Sequence, residues 1–309
     1  MRVFVTGASG WIGSALVPEL IGAGHVVIGL ARSDESAESL LGAGAEVQPG
    51  SLEDLDSLRA GADRADGVIH LAFIHDFSQF DASVRTDLQA VETLGGALGG
   101  SDRPLLIASG VRAVAPGRAA TERDAPDPSF PRTPAAELTV SLAQCGVRSA
   151  VVRLPPSVHG EGDRGFVPTL IDIARARGVA AYIAEGSNRW PAVHRLDAAR
   201  LFRLGLEKAP AGSVLHAIAD EGVPTRTIAE VIGQHLELPV VSISPDQATA
   251  HFGWMGLFFG ADSSATSEIT RELLDWQPIE PGLVGDLDRG HYFDPRPPTP
   301  LMDQEAVSS

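Results

Sequence analysis

Three glycines at fixed spacing form the strongest candidate binding site in the sequence. They stand in the segment Thr-Gly-Ala-Ser-Gly-Trp-Ile-Gly at positions 6–13, between an apolar run and a segment with helical periodicity. In such a segment the first glycine permits a tight turn, the second lets a diphosphate approach the backbone, and the third lets helix and strand pack closely. The N–H groups at the helix start then face the phosphates. We therefore predict that this turn binds a dinucleotide through Gly7, Ser9, Gly10, Trp11, Ile12 and Gly13.

The end of the second apolar run indicates which dinucleotide is bound. It reads Leu-Ala-Arg-Ser, and Arg32 can hold a 2′-phosphate with two hydrogen bonds while Ser33 adds a donor. NAD enzymes tend to place a carboxylate here, and Asp34 and Glu35 lie close enough to keep NAD as an alternative. Arg32 could also be an ordinary solvated loop residue. We predict NADP as the cofactor, with NAD possible.

The elements that must position these residues follow a βαβ pattern, which builds a parallel sheet with helices on both faces. The predicted strands are Val3–Thr6, Val26–Ala31, Glu46–Gln48, Gly67–Ala72, Leu105–Ser109 and Ala150–Leu154. The helical segments are Ile12–Gly24, Ala82–Leu98 and Pro134–Gln144. The proline-rich stretch Val114–Thr133 reads as a long loop.

After Pro155 the alternation weakens, and the remaining elements indicate a smaller lobe. Its predicted elements are the helices Asp197–Glu207 and Thr225–Leu236 and the strand-like runs Val214–Ala219 and Val240–Ile243. The fold class that follows is α/β, a doubly wound parallel sheet of the Rossmann type with a smaller C-terminal substrate lobe. We predict the dinucleotide-binding core at residues 1–154, the substrate-binding lobe, continuous with the core, at 155–290, and a C-terminal tail at 291–309.

Composition excludes several classes of protein. Among 309 residues, 40 are acidic and 24 are Lys or Arg, a net charge of -16 that repels nucleic acid and anionic membranes. The single cysteine, Cys145, cannot form an internal disulfide, and no histidine spacing predicts a metal site. No apolar run reaches the ~18 residues of a membrane helix, and the start turns polar too early for a signal peptide. We expect a cytoplasmic protein with neither nucleic acid nor membrane as a partner.

Further motifs resemble those of extended or atypical short-chain dehydrogenases/reductases, the NAD-dependent epimerase/dehydratase family, over most of residues 1–290. Beside the glycine turn, they are Gly-Ser-Leu at 50–52, His-Leu-Ala at 70–72, Ala-Ser-Gly at 108–110, Arg-Leu-Pro-Pro-Ser-Val-His-Gly at 153–160 and His-Arg-Leu-Asp-Ala-Ala at 194–199. The segment at 153–160 has one residue more than the family pattern. The resemblance implies cofactor contacts from Ser51, Leu52, Leu71, Ala72 and Pro155, and an active-site hydroxyl from Ser109.

Members of that family use a Tyr-x-x-x-Lys pair for acid–base chemistry, and this sequence contains none. Its tyrosines, Tyr182 and Tyr292, lack a lysine four residues later, and its one lysine, Lys208, follows Leu204. Aligned on Glu137, Ser129 stands at the tyrosine position and Thr133 at the lysine position. An alcohol hydroxyl is a poor general acid at neutral pH. If the protein is an enzyme, another group must supply the proton.

The first candidate for that acid is His159, because imidazole titrates near neutrality and the matching family segment lies by the nicotinamide. The alternative is a histidine that satisfies a local turn. His75 and Asp76, just past the fourth strand, are second candidates, although an aspartate there can be a helix cap. Ser109 could hydrogen-bond a substrate oxygen.

Asn188, Arg189 and Trp190 combine an amide, a cation and a flat aromatic ring in a predicted loop, so we expect them to contact substrate. Trp190 could instead plug the interface of the lobes. The apolar segment 251–259 could be a lid, a dimer surface or ordinary core.

We predict an NADP(H)-dependent oxidoreductase that reduces a carbonyl or related C=X group of a small molecule, with an acid other than tyrosine. The alternatives are a nucleotide-sugar epimerase or dehydratase and a non-catalytic NADP-binding sensor. The resemblance also makes a homodimer possible, through the helix at 82–98. The substrate itself is a small molecule whose identity the sequence leaves open.

Overall fold

The computed structural model describes residues 1–75, 79–111 and 118–294. Strands and helices alternate through residue 154, as the βαβ pattern predicts. The strands of this half are β1 (Arg2–Thr6), β2 (Val26–Ala31), β3 (Glu46–Pro49), β4 (Gly67–His70), β5 (Pro104–Gly110) and β6 (Arg148–Leu154). The helices are α1 (Gly13–Gly22), α2 (Asp34–Gly42), α3 (Leu55–Asp63), α4 (Phe80–Leu98) and α5 (Thr133–Ser141). The predicted β4 was two residues too long, since Leu71 and Ala72 lie in the loop after it.

The second half continues with shorter elements. Its strands are β7 (Ser157–His159), β8 (Ala180–Ile183), β9 (Arg189–His194), β10 (Ser213–His216), β11 (Asp220–Pro224) and β12 (Val240–Ile243). Its helices are α6 (Phe166–Arg177), α7 (Arg195–Lys208), α8 (Thr225–Leu236), α9 (Ala248–Phe252), α10 (Met255–Phe259), α11 (Glu268–Leu274) and α12 (Leu283–Leu287).

A parallel sheet of seven strands, in the order β10-β6-β5-β4-β1-β2-β3, forms the centre of the molecule. Strands β1 and β5 are buried almost throughout, because apolar clusters cover both faces of the sheet. Helices α1 and α7 pack on one face, and α3, α4 and α5 pack on the other. This arrangement confirms the predicted doubly wound α/β fold.

The chain reverses its direction across the sheet between β1 and β4. From β1 it builds outward through β2 and β3, and it then returns to place β4, β5 and β6 on the other side. The carboxyl ends of the strands flank a crevice at such a switch point, where open α/β sheets bind their ligands. The glycine turn follows β1 and therefore lies at this crevice.

Two smaller sheets, β11-β9-β7 and β12-β8, pack around a separate core cluster that includes Trp190, Phe252 and Phe259. Not all of residues 155–290 lie there, because α7 and β10 complete the layers of the seven-stranded sheet. The predicted tail at 291–309 also needs correction at its start. Tyr292 is 1% exposed and belongs to the second core, and residues 295–309 lie outside the described residues.

The apolar segment 251–259 divides between two surroundings. Phe252, Met255 and Phe259 are core residues of the second cluster, while Trp254 and Leu257 are 44% and 80% exposed. No helix within the described ranges combines the length and the apolar character that a membrane crossing requires.

Candidate functional site

The glycine turn has a geometry that only glycine permits at two of its positions. Gly7 has φ +67°, and a Cβ there would lie 2.7 Å from the backbone N of Ala72. A Cβ on Gly13 would lie 2.1 Å from the carbonyl oxygen of Gly7 and 2.6 Å from that of Ala8. The turn after β1, the start of α1 and the loop after β4 are therefore in backbone contact. This close packing is what the three-glycine spacing predicts.

The first turn of α1 leaves room for an anion. The helix begins without a side-chain cap and without an acidic residue in its first turn, so its N–H groups and partial positive charge face outward. Ser9 and Gly10 are exposed beside it. The indole Nε1 of Trp11 donates to the carbonyl oxygen of Val158 at 2.7 Å, which anchors the turn on β7. A dinucleotide diphosphate fits this turn.

The ends of β2 and β3 lie side by side at the same edge of the sheet. Ala31 pairs with Pro49, so Arg32 and Ser51 follow neighbouring strands. Arg32 is exposed and has no hydrogen bond or ion pair with any residue that the structure describes. Ser33 instead caps α2 through its hydroxyl, which accepts from the N–H of Ser36 at 3.3 Å. Leu52 is 7% exposed and packs in the core.

Beneath the turn lies a buried chain of polar groups that joins four elements. Thr6 Oγ1 lies 2.7 Å from His70 Nδ1, and His70 Nε2 lies 3.2 Å from Asp87 Oδ1. Arg132 donates to both oxygens of Asp87, at 3.0 Å each. Because a carboxylate only accepts, Nε2 of His70 donates to Asp87, and Nδ1 shares a hydrogen bond with the Thr6 hydroxyl. Burial raises the pKa of Asp87, but the hydrogen bond from His70 and the charge of Arg132 outweigh it and lower the pKa.

The carboxyl ends of β5 and β6 border a small cleft that opens to solvent. It is lined by Ser109, Gly110, Val111, Ala125, Pro126, Asp127, Phe130, Thr133, Ala136 and Arg153. The Ser109 hydroxyl has no hydrogen bond to any part of the chain that the structure describes. Arg153 is 7% exposed, and burial lowers its pKa. The cleft thus combines a free hydroxyl, a cation and an apolar wall.

Comparison with known proteins assigns the chain to a family. Residues 3–217 match the model of the NAD dependent epimerase/dehydratase family. The chain belongs to this family. An uncharacterized protein of Schizosaccharomyces pombe is 48% identical over 296 residues, which cover 95% of this chain and 100% of that protein. An uncharacterized protein of Saccharomyces cerevisiae is 45% identical, with 94% and 99% covered.

One relative of the family carries an activity in its name. It is the 4-hydroxy-2-methyl-3-oxo-4-farnesyl-3,4-dihydroquinoline-1-oxide ketoreductase of Stigmatella aurantiaca, 28% identical over 82% of this chain and 80% of that protein. Among solved structures, UDP-glucose 4-epimerase of Thermotoga maritima with UDP-glucose superposes with a TM-score of 0.74, at 20% identity over 95% of this chain and 98% of that chain. MoeE5 in complex with UDP-glucuronic acid and NAD gives 0.72, at 21% identity over 93% and 97%. These structures share the fold.

The epimerase/dehydratase pattern places its acid–base pair at the start of α5, where this chain has Ser129 and Thr133. The Ser129 hydroxyl donates to Asp127 Oδ1 at 2.7 Å, and the Thr133 hydroxyl donates to the Asp127 carbonyl oxygen at 2.6 Å. Both hydroxyls therefore hold the loop that covers the cleft. The positive charge next to the expected lysine position, Thr133, comes from the preceding residue, Arg132, which is bonded to Asp87.

The structure corrects the expectation that His159 is the acid. Its side chain is fully buried, its Nδ1 lies 2.9 Å from Asp286 Oδ2, and it does not line the cleft. The adjacent N–H of Gly160 donates to the Tyr292 hydroxyl at 2.9 Å, so this corner ties β7 to α12 and the segment after it. Because His159 is buried and does not line the cleft, a substrate bound in the cleft could not contact its ring.

His75, from the second pair of candidates, lies in the loop after β4. The ring of His75 packs edge-on against Phe73, 5.3 Å between centroids, and loss of solvent together with the charge of Arg132 lowers its pKa. Asp76 lies outside the described residues. Leu71 and Ala72 lie next to the glycine turn, and Pro155 is buried at the end of β6; their contacts with a cofactor stay a prediction.

The expected substrate contacts at the start of β9 are bound to the protein itself. Asn188 donates to the carbonyl oxygen of Phe259 at 2.7 Å, and Arg189 pairs with both oxygens of Asp262 at 3.0 and 2.9 Å. Trp190 is 1% exposed and lies in the second core. This supports the alternative in which Trp190 plugs the lobe.

Sequence reasoning missed Asp87, Arg132 and the role of Arg153. Asp87 had a signal, because it falls on the buried stripe of α4 with Ser83, Ala90 and Val91. An acidic residue in such a stripe needs a buried partner. Within the described ranges, no group of three or more His, Cys, Asp or Glu side chains could hold a metal ion.

Proposed function

We propose that the protein is an NADP(H)-dependent oxidoreductase that reduces the carbonyl group of a small molecule. The observation that carries this proposal is that the glycine turn and the Ser109 cleft both lie at the carboxyl ends of the parallel strands. The glycine turn follows β1, and the Ser109 cleft follows β5 and β6 on the far side of β4. A cofactor held by the turn would extend across the switch point toward the cleft.

The residues of the turn fit the diphosphate of a nicotinamide dinucleotide. The backbone contacts at Gly7 and Gly13 fill the space that any side chain would need, and the first turn of α1 presents its N–H groups. Arg32 supports NADP over NAD, because an exposed guanidinium with no partner among the described residues can hold a 2′-phosphate. When bound, the reduced cofactor supplies the hydride.

The chain contributes binding, orientation and one hydroxyl. The buried chain from Thr6 to Arg132 holds the ends of β1 and β4 against α4 and the start of α5, so the floor of the crevice is rigid. Ser109 would donate a hydrogen bond to the substrate oxygen and pass it a proton from solvent. Tyrosine acids typically accelerate such steps ~10²–10⁴-fold, so a chain without one is expected to be a slower enzyme.

Support for carbonyl reduction over other chemistry of the family comes from the named activity of the Stigmatella aurantiaca relative, a ketoreductase. The measurement that tests the proposal is oxidation of NADPH by the purified protein with a panel of ketones, aldehydes and imines. We expect Ser109→Ala to lower kcat about 10- to 100-fold, the usual cost of one hydrogen bond to a developing oxyanion. Ser141→Ala, an exposed serine at the end of α5, is the matched control.

Cofactor choice is tested separately by calorimetry with NADPH and NADH. We expect tighter binding of NADPH, and Arg32→Ala should weaken it about 10-fold or more while leaving NADH unchanged. Tighter binding of NADH would refute the NADP assignment. Firm NADPH binding with no turnover of any panel member would refute the reductase and favour a sensor.

A further inference from the structure

Three neighbouring strands place polar side chains in one row at the edge of the sheet. Ser109 of β5 pairs in register with Arg153 of β6, which pairs in register with His216 of β10. Paired residues on adjacent strands project to the same face, so the three side chains stand next to one another. Ser109 and Arg153 both line the cleft.

Two neutral acceptors orient the Arg153 guanidinium. Its Nη1 donates to the carbonyl oxygen of Asp124 at 3.0 Å and lies 3.4 Å from His216 Nε2. His216 Nδ1 lies 2.8 Å from the Thr266 carbonyl oxygen, which can only accept, so Nδ1 carries the proton and Nε2 is an acceptor. Burial lowers the pKa of His216, in keeping with a neutral ring.

Neither carboxylate near Arg153 is hydrogen-bonded to it within the described residues, and the buried Oε2 of Glu122 has no hydrogen bond to any of them. Asp124 pairs with Arg118 and accepts from the N–H of Thr121 at 2.7 Å. Glu122 Oε1 accepts from the backbone N–H and the hydroxyl of Thr270, at 2.8 and 2.6 Å. Both acidic groups act on Arg153 through space only. Among the described residues, Nε and Nη2 of Arg153 have no hydrogen bond and no ion pair.

A buried guanidinium without a hydrogen-bonded anion is costly, and its planar N–H pair matches the two oxygens of a carboxylate. We infer that Arg153 binds the carboxylate of the substrate, and that the substrate is an oxo acid. The inference rests on the proposed function, because Ser109, one strand away, would receive the carbonyl oxygen of the same molecule. A 2-oxo or 3-oxo acid, in which the carbonyl and the carboxylate are close together, is the class we infer, because Ser109 and Arg153 are register partners on adjacent strands.

The reaction on such a substrate balances with the proposed cofactor. A reduced nicotinamide held at the glycine turn would supply the hydride to the carbonyl carbon, and Ser109 would pass a proton from solvent to the carbonyl oxygen. The products are the hydroxy acid and oxidised nicotinamide, and the bonds of the carboxylate do not change.

The rest of the cleft restricts the body of the oxo acid. Val111, Pro126, Phe130 and Ala136 line it with apolar surface, which suits an aryl or alkyl group. Asp127 also lines it, and its Oδ1 accepts from the backbone N–H of Ser129 at 2.8 Å.

The test compares benzoylformate with its methyl ester, which has the same carbonyl and ring but no charge. Each is titrated by calorimetry into the full-length protein saturated with oxidised NADP, so that binding is measured without turnover. We expect the acid to bind at least about 10-fold more tightly than the ester. Arg153→Met should weaken binding of the acid about 10- to 100-fold and leave the ester unchanged, with Arg153→Lys between them. Arg123→Met, which removes an exposed cation from the same loop as Asp124, is the control.

Equal binding of acid and ester to the unchanged protein would overturn the inference, and so would equal binding of the acid to Arg153→Met and the unchanged protein. The first comparison needs no variant, so it decides the matter even if Arg153→Met fails to fold. Binding of the acid that depends on Arg153, without NADPH oxidation, would uphold this site and refute the proposed reductase. Oxidation of NADPH with neutral ketones but not with oxo acids would uphold the reductase and refute this site.

Discussion

Replacing Gly13 by alanine tests whether the backbone contact in the glycine turn positions the cofactor. The new Cβ would lie 2.1 Å from the Gly7 carbonyl oxygen and 2.6 Å from that of Ala8. Carbon and carbonyl oxygen atoms approach to about 3.3 Å in proteins, so α1 and the turn must separate by about 1 Å. All the atoms contacted belong to the backbone, and no side-chain rotation can relieve the clash.

The magnitude follows from this displacement. Overpacking of this kind typically costs about 1–3 kcal/mol of folding free energy. The shift also moves the N–H groups of α1 relative to the diphosphate, and each hydrogen bond to a charged group contributes about 1.5–3 kcal/mol. Loss of one such bond weakens binding about 10- to 100-fold. We expect Gly13→Ala to show both effects.

The assay pairs calorimetric titration of NADPH with urea unfolding. Gly22→Ala is the matched control, because it changes the last residue of the same helix, and a Cβ there meets nothing within 4 Å. That variant should bind NADPH normally and gain up to about 1 kcal/mol from its higher helix propensity. Normal NADPH affinity in Gly13→Ala, or an equal loss in both variants, would refute the reasoning.

Two further predictions concern the buried charges. Arg132→Met should destabilise the protein by about 3–5 kcal/mol in urea unfolding, because it leaves the Asp87 carboxylate buried without its bidentate partner. Adding Asp87→Asn to this variant should recover part of the lost free energy of unfolding, and a double variant as unstable as the sum of the two single variants would contradict the pairing. Stability should also fall as the pH drops below about 6.5, since burial lowers the pKa of His194 and His216 in the folded state and the unfolded chain then binds more protons. Urea midpoints measured between pH 7 and 5 check this, and a flat profile would contradict it.

The strand and helix pattern of residues 1–154 could be predicted because each element is encoded by its own residues. Apolar runs such as Val26–Ala31 are buried on both faces, and the helices between them carry apolar stripes. The seventh strand of the sheet, β10, is different. It joins β6 across the intervening elements from β7 to α7, and local periodicity carries no information on that pairing.

In the candidate site, too, features set by neighbouring residues could be predicted, and contacts between distant residues could not. The glycine turn is a local feature, in which spacing alone determines which atoms meet, so its residues could be predicted from the sequence. His159 also stands in a recognisable segment, but its burial depends on Asp286, 127 residues further along the chain. A motif of this kind identifies a segment without showing which way its side chain faces.

The substrate end is assembled by strand register. Arg153 meets Ser109 and His216 only because β6 lies between β5 and β10 with these residues aligned. A shift of one residue in either pairing would turn one partner to the opposite face of the sheet. The sequence could therefore predict the geometry of the glycine turn, but the oxo acid inference required the register. A change in the core of α7 that altered how β10 packs should accordingly affect binding of an oxo acid at Arg153 more than binding of NADPH at the glycine turn.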